Sequence, residues 1–356
     1  MALLRVPLAG QAQTDAVDQC RQENWSRARL HVSTRELKIM ANNAIGLTDP
    51  HIERLMVKLE SLVDGNRAVP LLVACGQQAI PYLEQYLLSG SPRTIAIPRC
   101  RAVRALGELG AFSVLISYFE EYEPPADPEV RFAEDAVRSA VARELMEWRS
   151  EKVYRVLLDA ARQRATNGLL LAVGGFRNPE SVSLLFAALD DDLCREEAME
   201  GLRKVPGVAR EYAILSIRGQ TETDLLSLGA SRRLRATLQL LVEFGVTREE
   251  WQDLRAFLDS RDPAIVISVA HLGFQNAPES DYRAIIDALF HISPHLNWAQ
   301  EDEVNKLLGM HRDLAREIAR TVVIERERRG ESPNWLRPLW RVLQHVLGRD
   351  LGHRGS

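Results

Sequence analysis

Apolar side chains recur along this chain of 356 residues at the spacing i, i+3, i+4, i+7, the stripe that one face of a 3.6-residue helix turns toward a core. Ile52, Leu55, Met56 and Leu59 show it, as do Tyr154, Leu157, Leu158 and Ala161. It returns at Val182, Leu185, Phe186 and Leu189, and again at Tyr282, Ile285, Ile286 and Leu289. Strand-like alternation is short and scarce; the exception is 30–37, where a short strand or an irregular segment is expected. A chain patterned in this way has many one-sided helices to cover, and the expected fold class is all-α.

Helix punctuation falls between the stripes. Asp49-Pro50, Asp127-Pro128, Asn178-Pro179 and Asp262-Pro263 each place a capping side chain before a proline suited to the first helical turn. Thr247 and Glu250 have capping-box spacing. These signals predict helices of roughly 10 to 20 residues joined by short turns, the pattern of αα-hairpins rather than of a long coiled coil.

Within 76–111 the residues resemble a known family. Ala79-Ile80-Pro81-Tyr82-Leu83 is similar to the first helix, and Arg101-Ala102-Val103-Arg104-Ala105-Leu106-Gly107-Glu108-Leu109-Gly110 to the second helix, of HEAT repeats and their relatives in phycobilin lyases. Ala102, Ala105, Leu106 and Leu109 share a face on which small residues let neighbouring helices approach. Asp127-Pro128-Glu129-Val130-Arg131 resembles the family's inter-helix turn and is followed by Ala133, Ala136, Val137 and Ala140. A third unit pairs Val182, Leu185, Phe186 and Leu189 with Cys194, Ala198, Leu202 and Val205; a fourth pairs 251–258 with a helix starting at Pro263.

The resemblance implies a right-handed α-α superhelix, a HEAT-like solenoid of helical hairpins. Its unequal periods suit units of about 40 residues that vary in length. The expected organisation is an N-terminal cap or arm over 1–47, helical repeats over 48–330, and a C-terminal capping helix and tail over 331–356. Leu336, Leu339, Trp340, Leu343 and Leu347 form the stripe of that last helix, which either seals the final hairpin or docks to a partner. The alternating charges from Glu325 to Arg329 read as a solvated helix end.

Composition narrows the function. Apolar residues at 46% and charged residues at 26% provide a sizeable core, so the chain is expected to fold rather than stay disordered. A net charge of -4 disfavours a dedicated nucleic-acid binder, which normally shows a basic domain. Arginine greatly outnumbers lysine, which occurs only at Lys38, Lys58, Lys152, Lys204 and Lys306; this reads as the bias of a GC-rich, bacterial kind of genome. Cys20, Cys75, Cys100 and Cys194 lie too far apart for a zinc motif or disulfide ladder, and a reducing cytoplasm is the expected location. The first ten residues lack the apolar core of a signal peptide. No apolar run approaches the roughly 18 residues that span a bilayer, so membrane insertion is not expected.

Catalytic signatures are missing from the sequence: there is no P-loop, dinucleotide-binding glycine fingerprint, H-E-x-x-H helix or G-x-S-x-G elbow. His291 and His295 are four apart, with Glu301 and Asp302 nearby, but Pro294 interrupts the helix that would align the imidazoles; no metal is expected. His311-Arg312-Asp313 matches the kinase tripeptide by chance. Cys194 reads as core and His271 as a packed, hydrogen-bonded side chain. Among the enzymes resembling HEAT proteins, deoxyhypusine hydroxylase needs His-Glu dipeptides, of which this chain has none. The alkylpurine DNA glycosylases present tryptophan, arginine and aspartate on a basic face; Trp148, Trp251 and Trp298 supply aromatics, but the acidic balance opposes that reading. Nothing identifies a bilin pocket, and no cofactor is expected.

In a HEAT solenoid the second helix of each hairpin generally lines the recognition surface. Arg101, Arg104 and Glu108 share one helix face, and Arg131, Asp135 and Arg138 another. Stacking would align Arg101, Arg104, Arg131, Asp135 and Arg138 into a mixed-charge stripe with a basic excess, suited to an acidic segment of another protein. The plainer alternative is that these arginines make exposed helical salt bridges. The function expected from the sequence is a non-enzymatic protein-protein interaction scaffold or adaptor. The alternative is a nucleic-acid-binding or DNA-repair protein of HEAT-like fold, and behind it a lyase-like enzyme.

Overall fold

A computed structural model describes residues 49–89, 94–218, 227–330 and 337–348. The expected N-terminal arm, the candidate strand at 30–37 and the segment 331–336 lie outside the described residues. Within them every regular element is helical, with no strand, and no helix is long and apolar enough to cross a membrane. The chain divides into two compact units, Met1–Arg177 and Asn178–Ser356, a boundary inside the stretch 48–330.

Among its described residues the first unit contains four hairpins: α1 (Asp49–Leu59) with α2 (Gly65–Ala74), α3 (Ile80–Glu84) with α4 (Ile97–Glu108), α5 (Phe112–Glu120) with α6 (Pro128–Met146), and α7 (Glu151–Gln163) with α8 (Asn167–Gly175). The first helix of the second hairpin is short and irregular, α3 being flanked by a 3-10 turn at Gly76–Ala79 and a π turn at Gln85–Ser89. Two layers result. The second helices pack in order, α2 on α4, α4 on α6 and α6 on α8, while α1 packs on α3 and α5 on α7.

The second unit repeats the scheme. Its hairpins are α9 (Val182–Ala187) with α10 (Arg195–Arg203), α11 (Pro206–Ile217) with α12 (Leu228–Phe244), α13 (Trp251–Leu254) with α14 (Pro263–Asn276), α15 (Tyr282–Ile292) with α16 (Trp298–Met310), and α17 (Arg312–Arg328) with α18 (Arg337–Leu347). A 3-10 turn, Arg255–Asp259, prolongs α13. Here too α10, α12, α14, α16 and α18 pack in succession, and α15 packs between the α13 turn and α17.

The apolar stripes explain why these helices form and stay together. Ile52, Leu55 and Leu59 are buried in α1, Tyr154, Leu157, Leu158 and Ala161 in α7, and Ile285, Ile286 and Leu289 in α15. Each fully buried aliphatic contributes about 1.5–3 kcal/mol. Caps fix the boundaries: Asp127, Asn178 and Asp262 accept from the amides of Glu129, Glu180 and Ala264. Thr247 and Glu250 make the reciprocal bonds of a capping box, at 2.7 and 3.2 Å. Helix α4 ends with Gly110 at φ 69, where the amides of Gly110 and Ala111 reach the carbonyls of Gly107 and Leu106, a Schellman closure that a residue with a Cβ adopts only at a cost. Close approach sets the spacing at α8, where a Cβ on Gly168 would lie 2.4 Å from the Ser139 carbonyl oxygen of α6. On α18 the buried residues are Val342, Leu343 and Val346. Of the expected stripe Leu343 is among them and Leu347 is half-buried, while Leu336 and the side chains of Leu339 and Trp340 lie outside what is described.

Candidate recognition surface

The five residues expected to form an exposed row do not share one environment. Arg104 is exposed and its Nε donates to Glu108 at 2.8 Å along α4. Arg131 is half-buried and donates to the carbonyls of Pro125 and Ala126 in the turn before its own helix. Asp135 accepts a forked pair of bonds from Arg164, the first at 2.7 Å. Arg101 is only 5% exposed; its guanidinium donates to Asn66 Oδ1 and to the carbonyls of Leu59 and Ser61, at 2.8, 3.0 and 2.8 Å. Arg138 is 1% exposed, donates to the carbonyls of Ala160 and Arg164, and lies 4.2 Å from the centre of the Tyr122 ring. The expectation of a continuous exposed stripe is therefore corrected at Arg101 and Arg138.

The physical reason is the unmet need of helix C-termini. The last carbonyls of a helix have no intrahelical partner and carry the negative end of its dipole, so a guanidinium is well suited to them. Arg101 reaches the end of α1 and Arg138 the end of α7. The same contact recurs in Arg99 on Leu87 O, Arg195 on Leu189 O, Arg210 on Gly245 O and Arg316 on Val346 O. Spacing along one helix shows that two arginines share a face but not that the face meets the end of a neighbouring helix.

A buried polar cluster beside Arg138 had no separate signal in the sequence. Glu134, on α6, accepts from Arg99 Nη1 of α4 and from the Tyr118 hydroxyl of α5, and all three side chains are buried. Burial, followed by the neighbouring Glu134 charge, pushes the Tyr118 phenol well above its ordinary range. The cluster holds three helices in register and is closed to solvent, so its role is architectural.

The outward face of the same packing carries a carboxyl that titrates abnormally. Glu144 of α6 lies against Gly107 of α4, where a Cβ would come within 2.1 Å of its Oε2. Burial first, then the Glu108 charge, raises Glu144 from the usual 4.5 to about 7; Arg104 opposes this and Glu147 adds to it. An acid whose native pKa is raised weakens the fold as pH climbs. Well below pH 4.5 the native and unfolded carboxyls are both protonated; from about pH 4.5 to 7 the unfolded one is ionised while the native one is largely not, and above pH 7 the full penalty persists. Glu144→Gln is therefore expected to gain roughly 1–3 kcal/mol over the parent chain on going from pH 5 to pH 8, read from denaturant midpoints at the two pH values. A constant difference between the two proteins would contradict this assignment.

On the second unit the first-helix layer presents apolar groups to solvent. Helix α11 buries Ala209, Ala213, Ile214 and Ile217 on one side and exposes Val208, Tyr212 and Leu215, at i, i+4, i+7, on the other. Leu215 is 65% exposed, and the Tyr212 ring is set by a contact with Phe186 at 4.8 Å between centroids. The periodicity of the sequence registered the buried stripe of such helices, whereas two apolar faces on one helix blur the period. Arg210–Glu250 and Arg218–Asp253 ion pairs tie α11 to the next first helix.

Between α13 with its 3-10 turn and α15 runs an open groove of about 770 Å³. Ala256, Ala284 and Ala288 line it with small apolar groups, while Arg255, Asp259, Asp287 and His291 supply its charged and polar side chains. Arg255 faces Asp281 at 3.8 Å, and that buried aspartate also accepts from Trp251 Nε1 at 2.8 Å. Burial raises the Asp287 carboxyl, Arg283 lowers it, and Glu325 raises it further.

The other residues singled out in the sequence fall into place around these features. Cys194 is buried at the start of α10, and His271 is half-buried on α14. His311 stacks on the Phe274 ring at 4.2 Å, and burial lowers its pKa, so the match to the kinase tripeptide is a packing contact. Trp251 is fully buried and Trp148 lies against Phe112, leaving Trp298, 82% exposed, as the most open of the three tryptophans considered. His291 lines the groove and His295 lies in the following 3-10 turn, and among the described residues no group of three or more His, Cys, Asp or Glu side chains is arranged to hold a metal ion. Compared with known proteins, the chain matches no family model and no curated protein.

Proposed function

We propose that this chain is a non-enzymatic protein-binding scaffold, built from HEAT-like hairpins stacked as a solenoid within each unit. Two layers of helices packed in sequence order support the architectural part of this reading. The observation that carries the functional part is the solvent-facing stripe of Val208, Tyr212 and Leu215 on α11. A helix that already buries one apolar face has no folding reason to carry a second, and contiguous exposed apolar side chains mark protein contacts. A tyrosine flanked by aliphatics is also the composition expected of an interface centre.

The test replaces Val208 and Leu215 by serine in one variant and Tyr212 by serine in another. Leu215 and Val208 face solvent, so the first variant is expected to keep its melting temperature nearly unchanged, while Tyr212→Ser also loses the contact with Phe186 and should cost about 0.5–1.5 kcal/mol without unfolding the chain. Partner recovered by quantitative affinity capture from the native organism is expected to fall at least about tenfold, the consequence of losing roughly 1.4 kcal/mol at an interface. Undiminished capture by both variants would remove the basis of the proposal.

A further inference from the structure

The groove between α13 and α15 has a chemistry that names the kind of partner segment it takes. Its three alanines come from the adjoining first helices of successive hairpins, so the trough owes its depth to small side chains rather than to separated helices. At about 770 Å³ it falls within the ~300–1,000 Å³ of ligand sites, yet it opens to solvent along the surface instead of enclosing a small molecule. A third helix laid on such a floor approaches closely, as in the general helix-in-groove mode of recognition.

The charges around this floor do not balance. Arg255 is answered by the buried Asp281 beneath it. Arg283, four residues before Asp287 on α15, makes its ion pair with Glu317 of α17, and its charge acts on Asp287 without an ion pair between them. Among the described residues no lysine or arginine forms an ion pair with Asp259 or Asp287, and Glu325 of α17 adds a further negative charge close to Asp287. The surplus is acidic, and Asp259 and Asp287 both face the open groove.

Resting on the scaffold reading above, we propose that this groove docks a basic amphipathic helix of a protein partner, its small apolar face on Ala256, Ala284 and Ala288 and its lysines or arginines on Asp259 and Asp287. The partner segment is cationic, opposite in sign to the acidic segment expected from the arginine-rich second helices.

Fluorescence anisotropy of the full chain with a labelled helical peptide of about 18 residues, built from Leu, Ala and Lys, tests this directly, with a Glu-for-Lys counterpart as the comparison. The basic peptide is expected to bind at least about tenfold more tightly than the acidic one, with an affinity that falls as salt rises. Asp259→Asn with Asp287→Asn should abolish most of that preference, and Ala256→Trp should obstruct the groove. Should the tryptophan variant fail to fold, as judged by its melting curve, the paired asparagine variant still decides the matter. Equal affinity for the two peptides, no binding of the basic peptide, or undiminished binding by the folded variants would each overturn the groove assignment. The Val208→Ser, Leu215→Ser variant separates the two proposals. If its partner capture is lost while the basic peptide fails to use the groove, the scaffold stands and the groove falls. If the peptide uses the groove while capture is unaffected by the α11 changes, the groove stands and the stripe falls.

Discussion

Replacing Glu134 by alanine is expected to destabilise the first unit by about 3–5 kcal/mol, a fall in melting temperature on the order of 10 °C. The removed carboxylate is the common acceptor of Arg99 and the Tyr118 hydroxyl, and none of the three has solvent to fall back on. Without it a guanidinium remains buried beside only one carbonyl, Leu87 O, and a phenol loses its acceptor. The cost is that of an uncompensated buried charge, which greatly exceeds the net value of the pair itself. Exchanging both charged partners at once, Arg99→Met with Glu134→Leu, should therefore recover most of the loss. Thermal and urea denaturation of Arg99→Met, Glu134→Leu and the double variant give the coupling directly. A Glu134→Ala protein as stable as its parent would show that the cluster is solvated.

The second large effect is expected at Arg138. Arg138→Ala removes the donors to Ala160 O and Arg164 O, the stacking on Tyr122 at 4.2 Å, and the volume of one of the largest fully buried side chains. Charged hydrogen bonds of this kind contribute about 1.5–3 kcal/mol, and with the void the loss should reach about 3–4 kcal/mol. Arg138→Met keeps most of the volume and should cost clearly less, which isolates the packing part. Arg104→Ala, two thirds of the way along α4 on an exposed i,i+4 pair, should change stability by no more than about 0.5 kcal/mol. The contrast in denaturation midpoints between Arg104 and Arg138 distinguishes a solvated arginine from a structural one, though both were read from the sequence as members of one row. Equal and small effects at the two positions would contradict the buried placement.

Much of the fold was legible because helices advertise themselves locally. The stripe of Tyr154, Leu157, Leu158 and Ala161 is buried as its period implied, and the caps at Asp127, Asn178 and Asp262 sit where Asx-Pro pairs announced them. The alanines at 102 and 105 lie in the core beside Leu106, as the need for close packing required. What could not be read was anything depending on two helices at once. Arg101 and Arg104 are three residues apart with identical chemistry, yet one meets the end of α1 and the other meets water. Glu134 has no sequence neighbour that reveals Arg99, 35 positions away, as its partner. Tyr212 and Leu215 were hidden for the opposite reason: their helix is apolar on two sides, and a single period cannot describe it. The alanine groove arises only when α13 and α15 are laid together, since alanine on a helix is otherwise an unremarkable choice.

The guanidinium contacts in the first unit also govern how that unit comes apart. Arg101 fastens the second hairpin to the first, Arg99 with Glu134 fastens it to the third, and Arg138 fastens the third to the fourth. In a linear array, cooperativity reflects how strongly each module depends on the one beside it relative to its own stability. Here every junction between adjacent modules is crossed by a buried charged group, so detaching an end module strands a cation or bares a row of carbonyls. Fraying from the ends should therefore be penalised, and these described modules are expected to gain or lose their structure in one cooperative step.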